Sequence, residues 1–397
     1  MQPFPENATV LAKNLTSKEN RPLGCRTEAC PDVAQAVCDS LAHPLGFDSL
    51  GQLTVRGDHV VLAVADGLPC MEQIVEGVVQ SLVDAGTDPD NITVLLSENY
   101  ADRLDGLRLR SAEPVHWAWH DPDLEEEMAY LATTDEGRPI VLNRLLTDAD
   151  LVIPLGCFRT GIVYDHFGVH TPIFPTFTNR RTMAEFGQIK SQDSRGRRHK
   201  RHIIETDRIG WLLGAVFSIQ VIPGTSGQIV EVIAGEVEQV RQESLRAYRQ
   251  AWHHQIPGQV GLVVSVIDDM TGWSDLVQTL SDMIPLVEPD GAAVILTHFA
   301  AEPGPALHAW IEAQDPDETL LAIRDSKLED AATTLRLAEL TEQRKIYLMS
   351  GLEEQMVEDL RMTPIASTDE IVRLSERFSS ALILEGVPFV TVEISSS

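Results

Sequence analysis

The sequence has no apolar run long enough to cross a bilayer, which requires about 18–20 residues. The N-terminal segment lacks a basic start followed by an apolar stretch, so no signal peptide is predicted. Cysteine is scarce, with five residues and no C-x-x-C pair. This usage predicts reduced thiols and a cytoplasmic protein, and it favours ordinary cysteines over a metal cluster at Cys25, Cys30 and Cys38.

Positive charge is also scarce. The chain has 31 Lys and Arg residues against 60 Asp and Glu residues, a formal net charge of -29. Such a surface repels phosphate groups, so neither nucleic acid nor an anionic membrane is predicted as a partner. The 397 residues, of which 43% are hydrophobic, are enough for two or three domains with full hydrophobic cores.

Several motifs that carry common chemistry are missing. The sequence has no P-loop, no G-x-G-x-x-G, no G-x-S-x-G and no H-E-x-x-H. The usual ATPase, Rossmann, serine-hydrolase and zinc-protease functions therefore have no support in the sequence.

The sequence does contain a regular alternation of strands and helices. The continuous apolar run His59–Ala65 predicts a strand buried on both faces, Met71–Ala85 has helical spacing, and Asn91–Leu96 predicts a second strand. The same alternation returns after residue 260. It predicts an α/β fold made of two α/β domains with largely parallel sheets and an interdomain cleft.

The predicted domains are residues 1–254 and 258–397, which meet at a linker formed by His253–Gly258. Within the first domain, residues 156–208 are rich in Gly, Pro and Arg and only weakly periodic, which predicts a long functional loop. Residues Trp211–Val221 are predicted to be a strand.

Four residues stand out as candidates for a site. Asp66 directly follows a buried strand, and ligands of open parallel sheets bind at the carboxyl ends of the strands. A helix-capping role is the alternative for Asp66. Arg159, His166 and His170 follow the predicted strand DLVIP. They are candidates for carboxylate binding and for proton transfer or metal binding, and structural histidines are the alternative.

One short segment concentrates positive charge, because Arg195–His202 holds five cations in eight residues. Guanidinium groups match carboxylate and phosphate oxygens, so Arg197, Arg198 and Lys200 are predicted to hold a small anionic substrate. The alternative is a solvated loop that pairs with the acidic body of the protein.

Weak motifs along most of residues 55–393 resemble the nickel-dependent lactate racemase (LarA-like) family. VVLAVADGLP followed by DPDNITVLL is similar to that family's strand, D-x-T-R-P loop and "PENIT" strand. His120-Asp121 is similar to its H-D, and GRPIVLNRLLTDADLVIPLG to a later strand pair. TDRIGWLLGAVFSIQVIPGTSGQIVEVIAGE is similar to its strand-turn-strand segment ending in A-G-E or A-G-D.

The resemblance implies a nickel-pincer nucleotide, a cofactor that is tethered to a lysine and takes hydride from the α-carbon of a 2-hydroxy acid. By position in the motifs, the residues expected to contact the cofactor are Asp66, Tyr164, Thr171 and Gln278. His170 lies in the same loop, although not at a matching motif position, and is expected to bind the metal. Thr171 stands at the position of the lysine, and a threonine cannot form the tether.

Two hypotheses follow for the function. The first is a divergent racemase or epimerase that acts on a small 2-hydroxy carboxylate or sugar acid by hydride or proton transfer at the α-carbon. The second is a non-catalytic protein that binds a small anion or has a regulatory role on the same fold. The sequence leaves open a third enzyme class, such as a hydro-lyase, and also whether the chain forms a homo-oligomer.

Overall fold

The fold was analysed in a computed structural model of the full chain. It describes residue 11 and residues 14–15, 19–100, 115–134, 137–159, 168–187, 195–267, 270, 272–326, 328–387 and 389–395. At residues 185, 187 and 195–202 it describes the backbone alone.

The first of two six-stranded sheets has the strand order β4-β3-β2-β7-β8-β9 and is parallel except for its last pair. Its strands are β2 Val60–Val64, β3 Ile92–Leu96, β4 His116–Trp119, β7 Leu151–Cys157, β8 Phe217–Pro223 and β9 Ile229–Glu236. The hairpin of β5 Met128–Thr133 and β6 Pro139–Asn143 forms a separate antiparallel pair.

The second sheet is parallel throughout, in the order β1-β15-β11-β12-β13-β14. Its strands are β1 Glu19–Leu23, β11 Val260–Ile267, β12 Val287–Thr297, β13 Lys345–Met349, β14 Thr363–Pro364 and β15 Ser380–Glu385. A further parallel pair joins β10 His253–Ile256 to β16 Thr391–Ile394.

Twelve α-helices connect these strands in the described part of the chain. They are α1 Val33–Ala42, α2 Met71–Asp84, α3 Arg144–Thr147, α4 Arg180–Gly187, α5 Arg195–Leu212, α6 Val237–Trp252, α7 Trp273–Met283, α8 Pro305–Ile311, α9 Pro316–Asp325, α10 Ala331–Gln343, α11 Glu354–Asp359 and α12 Thr368–Ser375. None of these helices is both long and apolar enough to span a bilayer.

Strand β2 shows why strands of the first sheet appear in the sequence as continuous apolar runs. Val60, Leu62 and Val64 pack on one face with α1 and α2, whereas Val61 and Ala63 pack on the other face with the β5–β6 hairpin. Both faces are thus removed from water, as is usual for parallel sheets. The predicted α/β fold with largely parallel sheets is confirmed.

The predicted linker at His253–Gly258 is wrong for most of its length, because His253–Ile256 form β10 and pair with β16. The division of the chain at residues 254–258 stays a prediction. Strand β1 crosses that division, since Glu19–Leu23 lie at the edge of the second sheet beside β15.

The segment predicted as a long loop contains two helices, α4 and α5. The predicted strand Trp211–Val221 is wrong at its start, because α5 continues to Leu212 and β8 begins at Phe217. A left-handed Gly214 ends α5, with the Gly214 N–H bonded to the Trp211 carbonyl and the Ala215 N–H to that of Gly210. The sequence pattern of α5 is obscured because its exposed side also carries apolar residues.

The two sheets meet around the end of α6. The fully buried indole of Trp252 donates a 2.6 Å hydrogen bond from Nε1 to the Pro223 carbonyl, and its ring centroid lies 5.5 Å from that of Phe389. The Tyr248 hydroxyl donates to the Phe389 carbonyl at 2.6 Å. One hydrophobic cluster therefore continues from the first sheet into the second.

The replacement Trp252→Phe is expected to destabilise the protein by about 1–3 kcal/mol more than Trp310→Phe, as measured by urea unfolding. Both changes shrink a buried ring, but only the first leaves a carbonyl without its donor. Trp310 Nε1 is buried without a hydrogen-bond partner in the described part of the chain. Equal losses for the two variants would contradict this role of the Trp252 hydrogen bond.

Candidate functional site

The strand order of the first sheet reverses between β2 and β7. From β2 the chain proceeds outward to β3 and β4, then returns to place β7 on the other side of β2. In open α/β sheets, ligands usually bind in a crevice at the carboxyl edge beside such a reversal. Asp66 and Gly67 follow β2, and Phe158 and Arg159 follow β7.

The second sheet has the same kind of reversal, between β11 and β15. Phe389 lies in the segment that follows β15, and the Arg159 guanidinium carbon lies 5.0 Å from the centroid of its ring. Arg159 Nη2 also donates to the Gly67 carbonyl at 3.4 Å. The two switch points are therefore in contact through one cation, which makes this crevice the candidate site.

The last residue of β7 is Cys157, which is buried beside Arg159. Burial raises the pKa of the Cys157 thiol, and the neighbouring Arg159 only partly opposes this effect. The thiol is neutral at physiological pH, so Cys157 is a packing residue and not a nucleophile.

Asp66 does not cap the helix that follows it. The residue at the N-cap of α2 is Cys70, four positions later, and it makes no capping hydrogen bond. The Asp66 carboxylate instead accepts a hydrogen bond from the Ser97 hydroxyl, which is buried at the end of β3. The carboxylate is thus oriented at the carboxyl edge of the sheet, beside the Gly67 carbonyl that Arg159 contacts.

A second cation at this edge is neutralised. Arg180 forms a bidentate pair with Glu98 at 2.6 and 2.7 Å and a further bond with Asp123 at 2.8 Å. These hydrogen bonds raise the pKa of Arg180, and Arg180 lowers the pKa of Asp123. Because both carboxylates are already occupied with one guanidinium, this cluster ties α4 to β3 and is a poor receptor for an anion.

His120, the histidine of the H-D motif, is fully buried. Its Nε2 lies 2.8 Å from the Thr178 carbonyl, and its Nδ1 lies 3.2 Å from the Asn143 amide nitrogen. Burial lowers the pKa of His120, and the bond to Thr178 opposes that shift. A neutral ring that donates from Nε2 and accepts at Nδ1 satisfies both contacts, so His120 is structural.

His170 is also buried, and both of its ring nitrogens face acceptors. Nδ1 lies 3.1 Å from the Asp207 carboxylate and Nε2 lies 3.2 Å from the Ala215 carbonyl. Protein groups therefore lie within hydrogen-bond distance of both ring nitrogens. The described geometry thus holds His170 as a docking residue, and the predicted metal-binding role has no support from it.

Asp207 connects His170 to a third element. Arg241 of α6 donates to the same Asp207 oxygen at 2.7 Å. Burial opposes ionisation of Asp207, but the bonds from His170 and Arg241 outweigh it and lower its pKa. The His170 ring also packs directly on Gly210, where a Cβ atom would overlap it. These contacts fasten α5 to the first sheet and to α6.

Thr171 has a local role in a turn. Its hydroxyl accepts the Gly168 N–H at 2.7 Å, and its carbonyl accepts the Thr176 hydroxyl at 2.8 Å. The predicted residues His166 and Tyr164 lie outside the described residues. Arg197, Arg198 and Lys200 lie on α5 and not in a loop, and their side chains are outside what the structure describes.

Gln278 lies in the middle of α7, buried against the second sheet. Its Nε2 donates to the Asp282 carboxylate at 2.5 Å, and its Oε1 is buried without a hydrogen-bond partner among the described residues. Burial raises the pKa of Asp282 to about 6, which the bond from Gln278 only partly opposes. The structure pairs Gln278 with Asp282 and shows no contact with Asp66 or Arg159.

Several residues of these clusters are not apparent from the sequence. At least 34 residues of sequence separate the members of each contact, which are Arg159 and Phe389, His170 and Asp207, and Arg241 and Asp207. Ser97 is the exception that a sequence signal could have identified, because it directly follows a predicted strand next to the strand that precedes Asp66.

Comparisons with known proteins agree with this architecture. Residues 15–186 match the sequence profile of the lactate racemase N-terminal domain. Lactate racemase from Thermoanaerobacterium thermosaccharolyticum is 21% identical over 365 residues, which cover 85% of this chain and 84% of that protein.

Two solved structures have a similar fold. The lactate racemase apoprotein of the same organism has a TM-score of 0.70 and 17% identity, covering 94% of this chain and 95% of its own. A Thermotoga maritima protein has a TM-score of 0.60 and 13% identity, and the match covers 91% of this chain and 97% of that protein. The sequence match and the shared fold confirm the predicted resemblance to the LarA-like family.

The residues that the structure describes do not fit the tethered form of the nickel cofactor. Thr171 has no amine, and its hydroxyl is committed to the turn at Gly168. The described part of the chain also has no cluster of three His, Cys, Asp or Glu side chains arranged for a metal ion.

Replacing Gly210 with Ala is expected to lower the unfolding free energy by about 1–2 kcal/mol. The added methyl group overlaps the His170 ring, and this outweighs the gain in helix propensity of about 1 kcal/mol. Gly258→Ala is the matched control, since nothing lies within 4 Å of a Cβ there. If neither Gly210→Ala nor Gly258→Ala changes the thermal unfolding temperature, the packing of α5 on His170 is refuted.

Replacing Asp282 with Asn is expected to stabilise the protein at pH 7 by about 1–3 kcal/mol. The folded-state pKa of about 6 lies above the ordinary value of 3.8, so wild-type stability falls as the pH rises between these values. An asparagine does not ionise, and its amide supplies a donor beside Gln278 Oε1. Denaturant unfolding at pH 4 and pH 7 tests this: a gain that does not grow with pH contradicts it.

Proposed function

We propose that this chain is a racemase-like isomerase that binds a small 2-hydroxy carboxylate at the crevice where the two switch points meet. The observation that carries the proposal is the position of Arg159, which contacts Gly67 of the first sheet and Phe389 of the second. The similarity to lactate racemase supports the isomerase class.

The chemical groups at the crevice complement such a substrate. A 2-hydroxy carboxylate has an anionic group and a hydroxyl on adjacent carbons. Arg159 supplies a cation for the carboxylate, and Asp66, directly before the Gly67 carbonyl that Arg159 contacts, supplies an acceptor for the hydroxyl. Ser97 orients Asp66. In this proposal Arg159 and Asp66 bind and orient the substrate.

The remaining predicted residues enter the proposal from the sequence alone. His166 is proposed to transfer protons, and Arg197, Arg198 and Lys200 to attract the anion. The five cysteines are all free thiols, which accords with a cytoplasmic location. Within the isomerase class, the two alternative reactions are racemisation and epimerisation. Each of them could use nickel or proceed without it.

A specific observation favours a second candidate, a protein that binds a small anion without catalysing a reaction. Thr171 replaces the tethering lysine, and His170 is fully engaged with Asp207 and Ala215. Arg159 and Asp66 would then bind a carboxylate ligand without chemistry at its α-carbon.

The replacement Arg159→Gln is expected to raise KM for the hydroxy acid at least about 10-fold, because a charged hydrogen bond contributes about 1.5–3 kcal/mol. The assay follows interconversion of stereoisomers by chiral chromatography over a panel of 2-hydroxy acids, with protein purified from its source organism. Arg246→Gln is the control, since Arg246 pairs with Glu243 on the exposed face of α6.

The same samples separate the two candidates. Calorimetric binding that Arg159→Gln weakens, without interconversion of any stereoisomer, indicates the anion-binding protein. Neither binding nor interconversion over the panel refutes both candidates. Deuterium from D2O appears at the α-carbon if the hydrogen moves as a proton and does not appear if it moves as a hydride. Metal analysis and intact mass report on a cofactor independently of activity.

A further inference from the structure

The Arg159 guanidinium lies over an aromatic ring that belongs to the second sheet. Its central carbon is 5.0 Å from the ring centroid of Phe389, within the range of about 6 Å for a cation–π interaction. The hydrogen bond from Arg159 to the Gly67 carbonyl is long, at 3.4 Å, so it holds the guanidinium loosely. The ring is therefore an important constraint on the orientation of this cation.

Phe389 is itself held from several sides. Its N–H donates to the Gly386 carbonyl at 2.8 Å, and its carbonyl accepts the Tyr248 hydroxyl at 2.6 Å. Its ring packs against the fully buried indole of Trp252, with 5.5 Å between the ring centroids. Because the backbone and the ring of Phe389 are both engaged, the ring presents a fixed surface to Arg159.

An aromatic support suits a cation that has to bind a substrate. Arg180 shows the effect of the alternative, since its bonds to Glu98 and Asp123 neutralise it. An aromatic ring attracts a guanidinium through its quadrupole and carries no net charge. The ring of Phe389 thus orients Arg159 without competing with a carboxylate for its charge.

We propose that Phe389 is a positioning residue, which holds the Arg159 guanidinium at the crevice and thereby sets the affinity for the substrate carboxylate. This inference rests on the proposed function, in which Arg159 binds that carboxylate. Phe389 acts through Arg159 and does not touch the reacting atoms. Substrate binding at the first sheet then depends on a side chain that follows β15 of the second sheet.

The replacement Phe389→Leu tests this role, because leucine keeps an apolar side chain against Trp252 but has no ring face. It is expected to raise KM for the hydroxy acid about 3- to 10-fold and to leave kcat nearly unchanged. Phe389→Tyr retains the ring and is expected to keep KM near the wild-type value. Phe299→Leu is the matched control, since the Phe299 ring also packs on an indole, 5.0 Å from Trp273, and no guanidinium lies over it in the described part of the chain.

A double-mutant cycle separates positioning from general support of the seam between the sheets. In an Arg159→Gln background, Phe389→Leu is expected to change KM, or the calorimetric Kd, less than about 2-fold, because the cation that the ring orients is gone. A residue that only stabilises the seam has the same effect in both backgrounds. Equal losses in both backgrounds, or no rescue by Phe389→Tyr, overturn the proposal.

A magnetic resonance measurement reports on the contact without any substrate. The Arg159 Nε–H signal of the full chain with 15N-labelled arginine is assigned by its loss in Arg159→Gln. Phe389→Leu is expected to shift this signal, since the ring current disappears, and Phe389→Tyr is expected to leave it in place. A signal that Phe389→Leu does not move overturns the positioning role, even if the wild type interconverts stereoisomers. A wild type without binding or interconversion refutes the proposed function instead, and the orientation of Arg159 by Phe389 is then decided by this signal.

Discussion

The placement of the candidate site depends on the buried indole of Trp252. This side chain closes the seam between the sheets, because its Nε1 is bonded to the carbonyl of Pro223 at the end of β8 while its ring lies against Phe389. Gly386, with a positive φ of 81°, lets the chain after β15 pass close to the indole. Phe389 in turn lies under Arg159. A shift at the seam would therefore separate the two switch points and leave Arg159 attached to one of them.

Two buried histidines of the first sheet's surroundings, His120 and His170, support the fold. His120 and His170 are both buried, and the ring nitrogens of each are occupied by protein groups. For His170, the bond to Asp207 joins the segment after β7 to α5, and Arg241 extends the link to α6. The energy of these charged, largely desolvated contacts favours one position of α5. That rigidity fixes the position of α5 relative to the first sheet and to α6.

The sequence predicts the centre of each sheet well and its margins poorly. Val60–Val64 and Val260–Ile267 are buried on both faces, so they read as continuous apolar runs. Strand β5 is not apparent from the sequence, because its buried and exposed residues alternate irregularly. Of the site, Asp66 and Arg159 could be located from their strands. Their contacts with Ser97 and Phe389 could not, since these depend on which strands become neighbours.

The separation of binding from chemistry has a physical basis in this fold. Crevices at switch points arise from strand order alone, and Arg159 and Asp66 reach the crevice because each follows a central strand. The positions of this cation and this carboxylate therefore depend only on the two sheets and on the packing between them. Covalent attachment of a cofactor, in contrast, depends on a single amine, and the residue that the motif comparison matches to that position is Thr171, whose hydroxyl accepts the Gly168 N–H. The fold thus constrains where a hydroxy acid would bind far more strongly than what happens to it there.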